Sequence, residues 1–483
     1  MDKSTLSQYG WVVIVIIIII ILLSFTGRYD VFWTQFELGL ENSLKPPIGT
    51  MEKPEDSADY YYRSIALAVD DVNAGTIGAN ADVDKEHAVA GITEKNGVTT
   101  VIAFKDSAET QKITPKVDMT INLNGKKVTS NQSAVIDSLS GALTIDGHLK
   151  GSAILADNTT ILCVQARTGS LIVNGGTYTV DNTSQIANNA AGFNVGANTQ
   201  INGATINVKS NVADGKYVYG INTNGTPQLT VSKTNINVIG NTSTYGIYAK
   251  GITEINDCKI NTDGQKQSYA VVVGKNTTMN NSSAIASSNY KANADGTAYT
   301  ATSSGIIVNK TANATLNNCY AKGIHSGVSS HGTITVNGGT YEGFAHGGFY
   351  FGGANIEHHV KNATIKQCDW FGNGVDYIND TFPPSCNQAA AYIGGNSDAN
   401  NIKVYIDNCK FVSTKWAICL RHPSGEHDNT LYISNSKIAE GTKLRLDGTT
   451  HNIYLGTGNS FDVSSVHYLG SSSSQVHTTT ETY

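Results

Sequence analysis

The sequence predicts an all-β chain, a parallel β-helix of stacked coils, preceded by a long hydrophobic α-helix. Three observations predict it. A short pattern recurs from about residue 123 to residue 460: an aliphatic residue, a polar residue, a turn-former, a small residue and, two further on, an apolar residue. Its clearest copies are Val173-Asn174-Gly175-Gly176-Thr177-Tyr178 and Val336-Asn337-Gly338-Gly339-Thr340-Tyr341; weaker copies include Ile201-Asn202-Gly203-Ala204 and Ile406-Asp407-Asn408-Cys409. A second pattern alternates with it, a small residue followed by an apolar one, from Ala134-Val135 through Gly220-Ile221 and Gly246-Ile247 to Ala417-Ile418. Each cycle spans roughly 20 to 40 residues, the period of a solenoid whose repeats cannot bury their apolar faces alone. Third, residues 4–27 carry no charge.

Taken in order, residues 1–44 form the hydrophobic helix. Trp11 to Leu23 is unbroken Trp, Val, Ile and Leu, and with its flanks it reaches about 20 residues, enough to cross a hydrocarbon layer. Trp11, Ile14, Ile18, Leu22 and Phe25 mark this membrane or assembly helix. The apolar run is longer than a signal-peptide core, Lys3 is the only basic side chain before it, and no A-x-A site follows Leu23, so an uncleaved anchor is expected in preference to a cleaved signal. Val31, Phe32, Trp33, Phe36, Leu40 and Leu44 continue with helical spacing until Pro46-Pro47. A hydrophobic half followed by an amphipathic half resembles type IV pilins in layout, and that resemblance implies a filament subunit. The chain lacks the basic leader ending in Gly and the Glu within the apolar run, so an anchor is favoured over an assembly helix.

Residues 45–115 read as a linker and a cap for the solenoid. A helix over Tyr60 to Val69, capped by Ser57 or Asp59, is expected to cover the open end of the core. Residues 116–462 carry the β-helix, in which coils about 4.8 Å apart place like residues above like. Asn and Gly at the bends tolerate the left-handed backbone. Residues 463–483 read as a polar, poorly ordered tail.

Composition agrees with stacked strands. Charged residues are 15%, Gly 48 and Pro 8, and the net charge is −6 without a basic block, which gives nucleic-acid binding no support. The seven cysteines are odd in number and scattered, unlike a disulfide framework. Cys258, Cys319, Cys368 and Cys409 are expected in the small-residue slot of the first pattern, as buried thiols that act as small hydrophobes. No Cys/His pair has zinc spacing, and neither a metal nor a cofactor is expected.

Lys116-Val117-Asp118-Met119-Thr120-Ile121-Asn122-Leu123-Asn124-Gly125-Lys126, with Leu143-Thr144-Ile145-Asp146-Gly147 and Leu171-Ile172-Val173-Asn174-Gly175-Gly176-Thr177-Tyr178, resembles the pectin-lyase-like right-handed β-helix superfamily over roughly residues 100–460. The surface-displayed, adhesin-like bacterial members are the nearest in kind. The resemblance implies a right-handed coil; it is silent on function, because that superfamily includes lyases, hydrolases, epimerases, tailspikes and adhesins.

Chemistry is expected in the later coils, where the links lengthen. Trp370, Asp376, Tyr377, Asp380, Trp416, Arg421, His422 and Glu426 gather there. Aromatic rings beside carboxylates and amides suit a sugar, whose C–H face stacks on the ring while polar groups hold its hydroxyls. Both tryptophans covering the core is an equal alternative. Asp376, Asp380 and Glu426 are the carboxylates a glycosidase would need, but no lyase or polygalacturonase signature is intact, so no catalytic residue is assigned. His346 is expected as a bend residue, and His358-His359 as a solvated loop rather than a metal site. The expected function is a membrane-anchored, cell-surface rod with a structural or adhesive role and a glycan or surface ligand. A filament built through residues 4–44 and a polysaccharide-degrading enzyme are the alternatives.

Overall fold

The computed structural model describes residues 57–151, 160–186, 188–288, 302–367, 389–394, 400–413, 416–421, 428–440, 442–447, 451–469 and 475–483. The chain is a parallel β-solenoid. Its coils contribute strands to three parallel files. Two files join, with a short antiparallel hairpin, into a 26-stranded sheet, and the third is a separate 13-stranded sheet. Thirteen strands at about 4.8 Å give a stack roughly 58 Å long.

The repeat of the sequence is the register of the strands. In the first file Val173 stands beside Ile201, Ile201 beside Val231, and Val231 beside Ile255. In the second file Tyr178 stands beside Ile206, and Ile206 beside Ile236. In the third, Phe193 stands beside Ile221, and Ile221 beside Ile247. All of these side chains are buried in one continuous core. A side chain in such a core touches the coil above and the coil below, so burial is a property of stacking and not of any one repeat.

The turn between the first two files explains the Val-Asn-Gly-Gly-Thr-Tyr motif. The residue two after the aliphatic one is left-handed in coil after coil: Gly203 (φ 70°), Lys233 (φ 50°), Asp257 (φ 54°), Asn281 (φ 48°), Asn318 (φ 52°) and Asn408 (φ 49°). The next residue is buried and small. Thr234, Ser282 and Ser436 each donate a hydroxyl hydrogen bond to the carbonyl two residues back, at 2.7–2.8 Å. The Cys258, Cys319 and Cys409 thiols donate to the same carbonyl at 3.2–3.4 Å. The slot therefore takes a small side chain, hydrogen-bonded where it is Thr, Ser or Cys and merely packed where it is Ala204 or Ala363. Where it is Gly176 or Gly339, a Cβ would lie 1.7 Å from the Gly147 carbonyl oxygen or 2.2 Å from that of Cys319. The small member of the second pattern faces the opposite wall: a Cβ on Gly220 or Gly246 would meet the branched methyl of Ile236 or Ile260 at 2.3–2.4 Å.

Polar columns run beside the apolar ones. Asn280 donates to Asn256, Asn317 to Asn280 and Asn337 to Asn317, at 2.7–2.8 Å. This is the amide ladder that identical residues on adjacent strands can form, each amide serving as donor to one neighbour and acceptor from the other.

The near end of the core is covered, with different boundaries from those expected. Tyr60–Tyr62 is a strand antiparallel to Ala90–Lys95, and the helix is Ile65–Ala74. Ser64 is its N-cap, accepting from the Leu67 amide, and the buried Glu109 carboxylate accepts from the Ile65 and Ala66 amides. Three consecutive tyrosines suit a pleated edge better than a first helical turn. Ile65, Ala68, Val69 and Val72 enter the solenoid core.

Four further expectations are corrected. In the first coil of the third file it is Ile136, beside Val164, that continues the column of Phe193, while Val135 is buried in the same core one position earlier. The small slot expected for Cys368 belongs to Ala363, which precedes Thr364 as Cys409 precedes Lys410 across the coil; Cys368 lies outside the described residues. His358 and His359 sit in the strand Ala354–Lys361 rather than in a loop. The solenoid also continues past residue 462, because Val466–Leu469 pairs with Lys443–Asp447 and Val476–Thr478 with Asn452–Leu455. The hydrophobic helix expected over residues 1–44, including Trp11, Ile14, Ile18, Leu22 and Phe25, lies outside the described residues. Among the described residues no helix is long and apolar enough to cross a membrane.

Candidate functional site

Strand alternation leaves one side chain in two on the outside of each file, and the outside carries three aromatic groups. On the first file the outward residue before the inward column is aromatic in five successive coils. His359, Tyr405, Tyr432, Tyr454 and His477 stack with centroids 4.6–4.8 Å apart and planes within 5–21°. Tyr483 leans on Tyr432 at 5.1 Å, and its amide donates to Ser434 Oγ at 2.9 Å. In this ladder the faces of the inner rings are occupied by one another.

On the 13-stranded sheet the residue before the small–apolar pair is Tyr219, Tyr245 and Tyr269 in three successive coils. Tyr217 and Tyr248 close around Tyr245 edge-on, at 5.7 and 5.3 Å. Lys250 Nζ lies 5.6 Å from the Tyr248 ring centroid.

The third group lies on the same sheet toward its far end. Tyr350 and Tyr392 stack in adjacent strands, 5.8 Å apart and 16° from parallel, and both are buried, only 4% exposed. Next along the sheet comes Trp416, half-buried, with the His467 ring at 5.2 Å and the Arg445 guanidinium carbon 5.6 Å from its centroid. His346 packs against both tyrosines, at 5.1 and 4.9 Å. Its Nδ1 is 2.9 Å from Nε2 of His325, so one ring donates to the other. Burial pushes the His325 imidazole down to about 4 and holds His346 well below the usual range; it pushes the Tyr350 phenol up to about 12. Tyr350 and Tyr392 are buried, and Trp416 is half-buried beside them, with Lys443 and Arg445 on the next strand.

Of the residues expected to form a binding site, the structure places Trp416 in this group. Arg421 ends the strand Trp416–Arg421, its backbone beside Gly394. Trp370, Asp376, Tyr377, Asp380, His422 and Glu426 lie outside the described residues. His346 is a bend residue with a partner. His358 and His359 point to opposite faces of one strand, His358 fully buried against Phe351 and His359 outside in the ladder. They cannot share a metal ion, and among the described residues no cluster of three His, Cys, Asp or Glu could hold one.

Sequence reasoning missed Tyr350, Tyr392, Arg445 and His467, and with them the ladder. The signal was present: the residue preceding each apolar column is the outward one, and reading that position down the coils spells out both aromatic series. Comparison with protein-family models, with curated proteins and with solved structures finds no match.

Proposed function

We propose that this chain is a surface-displayed adhesive rod, anchored through residues 4–44, that binds glycan on the outer face of its 13-stranded sheet. The observation that carries the reading is the grouping of Trp416, His467 and Arg445 beside the stacked Tyr350 and Tyr392. The half-buried Trp416 ring, held on the buried Tyr350–Tyr392 pair, offers a face to the C–H side of a sugar, and a flanking guanidinium pairs with hydroxyls or an acidic substituent. The strand pattern supports kinship with pectin-lyase-like right-handed β-helices, and the adhesin-like members accord with the absence of an intact catalytic signature in the sequence.

Affinity electrophoresis of the full chain through gels containing neutral or acidic polysaccharides tests this. Retardation by at least one glycan is expected, and Trp416→Ala should abolish it. Equal mobility of wild type and Trp416→Ala in every gel sinks the proposal. New reducing ends or unsaturated products would instead favour a degrading enzyme. A filament through residues 4–44 is favoured only by the hydrophobic-then-amphipathic layout, and polymer that pellets from detergent would support it.

A further inference from the structure

Twelve histidines occur in the chain, and all but His87 and His148 lie from His325 onward. Three of them are held in ways that a proton disrupts. His358 is fully buried, and neither ring nitrogen has a hydrogen-bond partner. Its strand neighbour on one side is Val404, and Phe351 covers its ring at 4.9 Å. The Gly352 backbone is its polar neighbour and acts to favour the protonated ring, but burial outweighs it. Among the described residues the titratable group that acts on it is His359, on the other face of the strand.

The His325–His346 pair is constrained differently. Its short contact needs a lone pair on one nitrogen and a hydrogen on the other. A pair carrying one extra proton keeps that contact; a doubly charged pair puts two N–H groups against each other. The groups facing the pair are Ser326, His331, Tyr350 and Tyr392. None is an anion, so nothing described offsets a second positive charge.

We infer that the coils from Ser326–Ser330 to the end of the solenoid form an acid-labile unit, which opens when His358 and the His325–His346 pair take up protons. The sign follows from linkage. These imidazoles titrate lower in the folded chain than the ordinary value near 6.5, His325 at about 4 and His358 at about 3. Their contribution is therefore intact above about 6.5 and is lost as pH falls toward those folded values. The unit lies at the end of the stack away from the helix Ile65–Ala74. A solenoid coil leans only on its neighbours, so destabilised coils open without unfolding the rest. The inference holds whether or not the face binds a glycan. If it does, acid releases the ligand by loosening its platform.

Hydrogen exchange of the full chain between pH 6 and pH 5, corrected for intrinsic exchange, tests this above the range where carboxylates titrate. Each proton taken up on opening multiplies the opening constant by about ten per pH unit. Amides of Ala354–Lys361 should open at least tenfold more at pH 5 than at pH 6, while those of Lys259–Gly264 change little. In His358→Met the pH dependence should fall by about one factor of ten, and in His346→Gln the dependence of Phe349–Phe351 should fall. The wild-type profile is decisive even if a variant fails to fold. Equal acceleration in both regions, no acceleration, or an unchanged slope in His358→Met overturns the inference.

Discussion

Two adjacent glycines in one motif should differ sharply in what they tolerate. Gly175 and Gly176 are both left-handed, at φ 70° and 85°. A Cβ on Gly175 meets nothing within 4 Å, whereas one on Gly176 would sit 1.7 Å from the Gly147 carbonyl oxygen and 2.6 Å from its carbon. Gly175→Ala carries only left-handed strain of about 1–2 kcal/mol, partly offset by about 0.4–1 kcal/mol of lost freedom in the unfolded chain. Gly175→Asn should be close to neutral, because asparagine holds that turn position at Asn281, Asn318 and Asn408. Gly176→Ala adds to the same strain an overlap with backbone that no rotamer relieves. Backbone shifts of that kind cost about 1–3 kcal/mol, for a sum of roughly 3 kcal/mol or more. The assay is urea unfolding followed by exchange protection of Thr177–Ile186, so that a local effect is seen even if the whole stack does not melt as one unit. The loss of stability should be smallest in Gly175→Asn, larger in Gly175→Ala and largest in Gly176→Ala. If Gly176→Ala proved as stable as Gly175→Asn, the turn could not be packed backbone to backbone, and the stacking account of the motif would fail.

Burial raises the thiols of Cys258 and Cys319 to about 11 and that of Cys409 to about 12. All three should resist iodoacetamide at pH 8 until denaturant is added, as read by mass spectrometry. Lys233 holds the left-handed turn position at φ 50°, which costs a lysine more than an asparagine or glycine. Lys233→Asn should stabilise the chain by about 0.5–1 kcal/mol, seen as a higher urea midpoint.

The fold was legible because a solenoid writes its geometry into the chain at a fixed period. Val173, Ile201 and Val231 form one file because a one-residue slip would turn each outward. The left-handed turn restricts its position to Asn, Gly, Asp and one Lys. The cap was less legible. Tyr60-Tyr61-Tyr62 has no period of its own, and its strand is set by pairing with a hairpin that begins at Ala90. The slot expected for Cys368 is taken by Ala363 because the coil from Val360 to Ile365 is itself regular. The candidate site was half legible. Trp416 was singled out as a rare ring near long links, but Arg445 and His467 reach it only because the third file brings residues from two later coils alongside.

The two distal aromatic series ask for different substitutions and different losses. In the ladder, Tyr432 is stacked on Tyr405 at 4.6 Å and on Tyr454 at 4.8 Å, both nearly parallel. Its faces are already used, and a sugar approaching it meets ring edges. Each stacked pair contributes about 0.5–1.5 kcal/mol beyond area burial, so Tyr432→Ala should cost on the order of 1–3 kcal/mol and leave glycan retention unchanged. Trp416 is half-buried and lies outside that stack, so Trp416→Ala should cost less in stability and remove retention. The ladder then belongs to what holds the coils in register, and the 13-stranded sheet to what the coils present. Loss of retention in Tyr432→Ala with full retention in Trp416→Ala would reverse that assignment, and would place recognition on the face of the 26-stranded sheet.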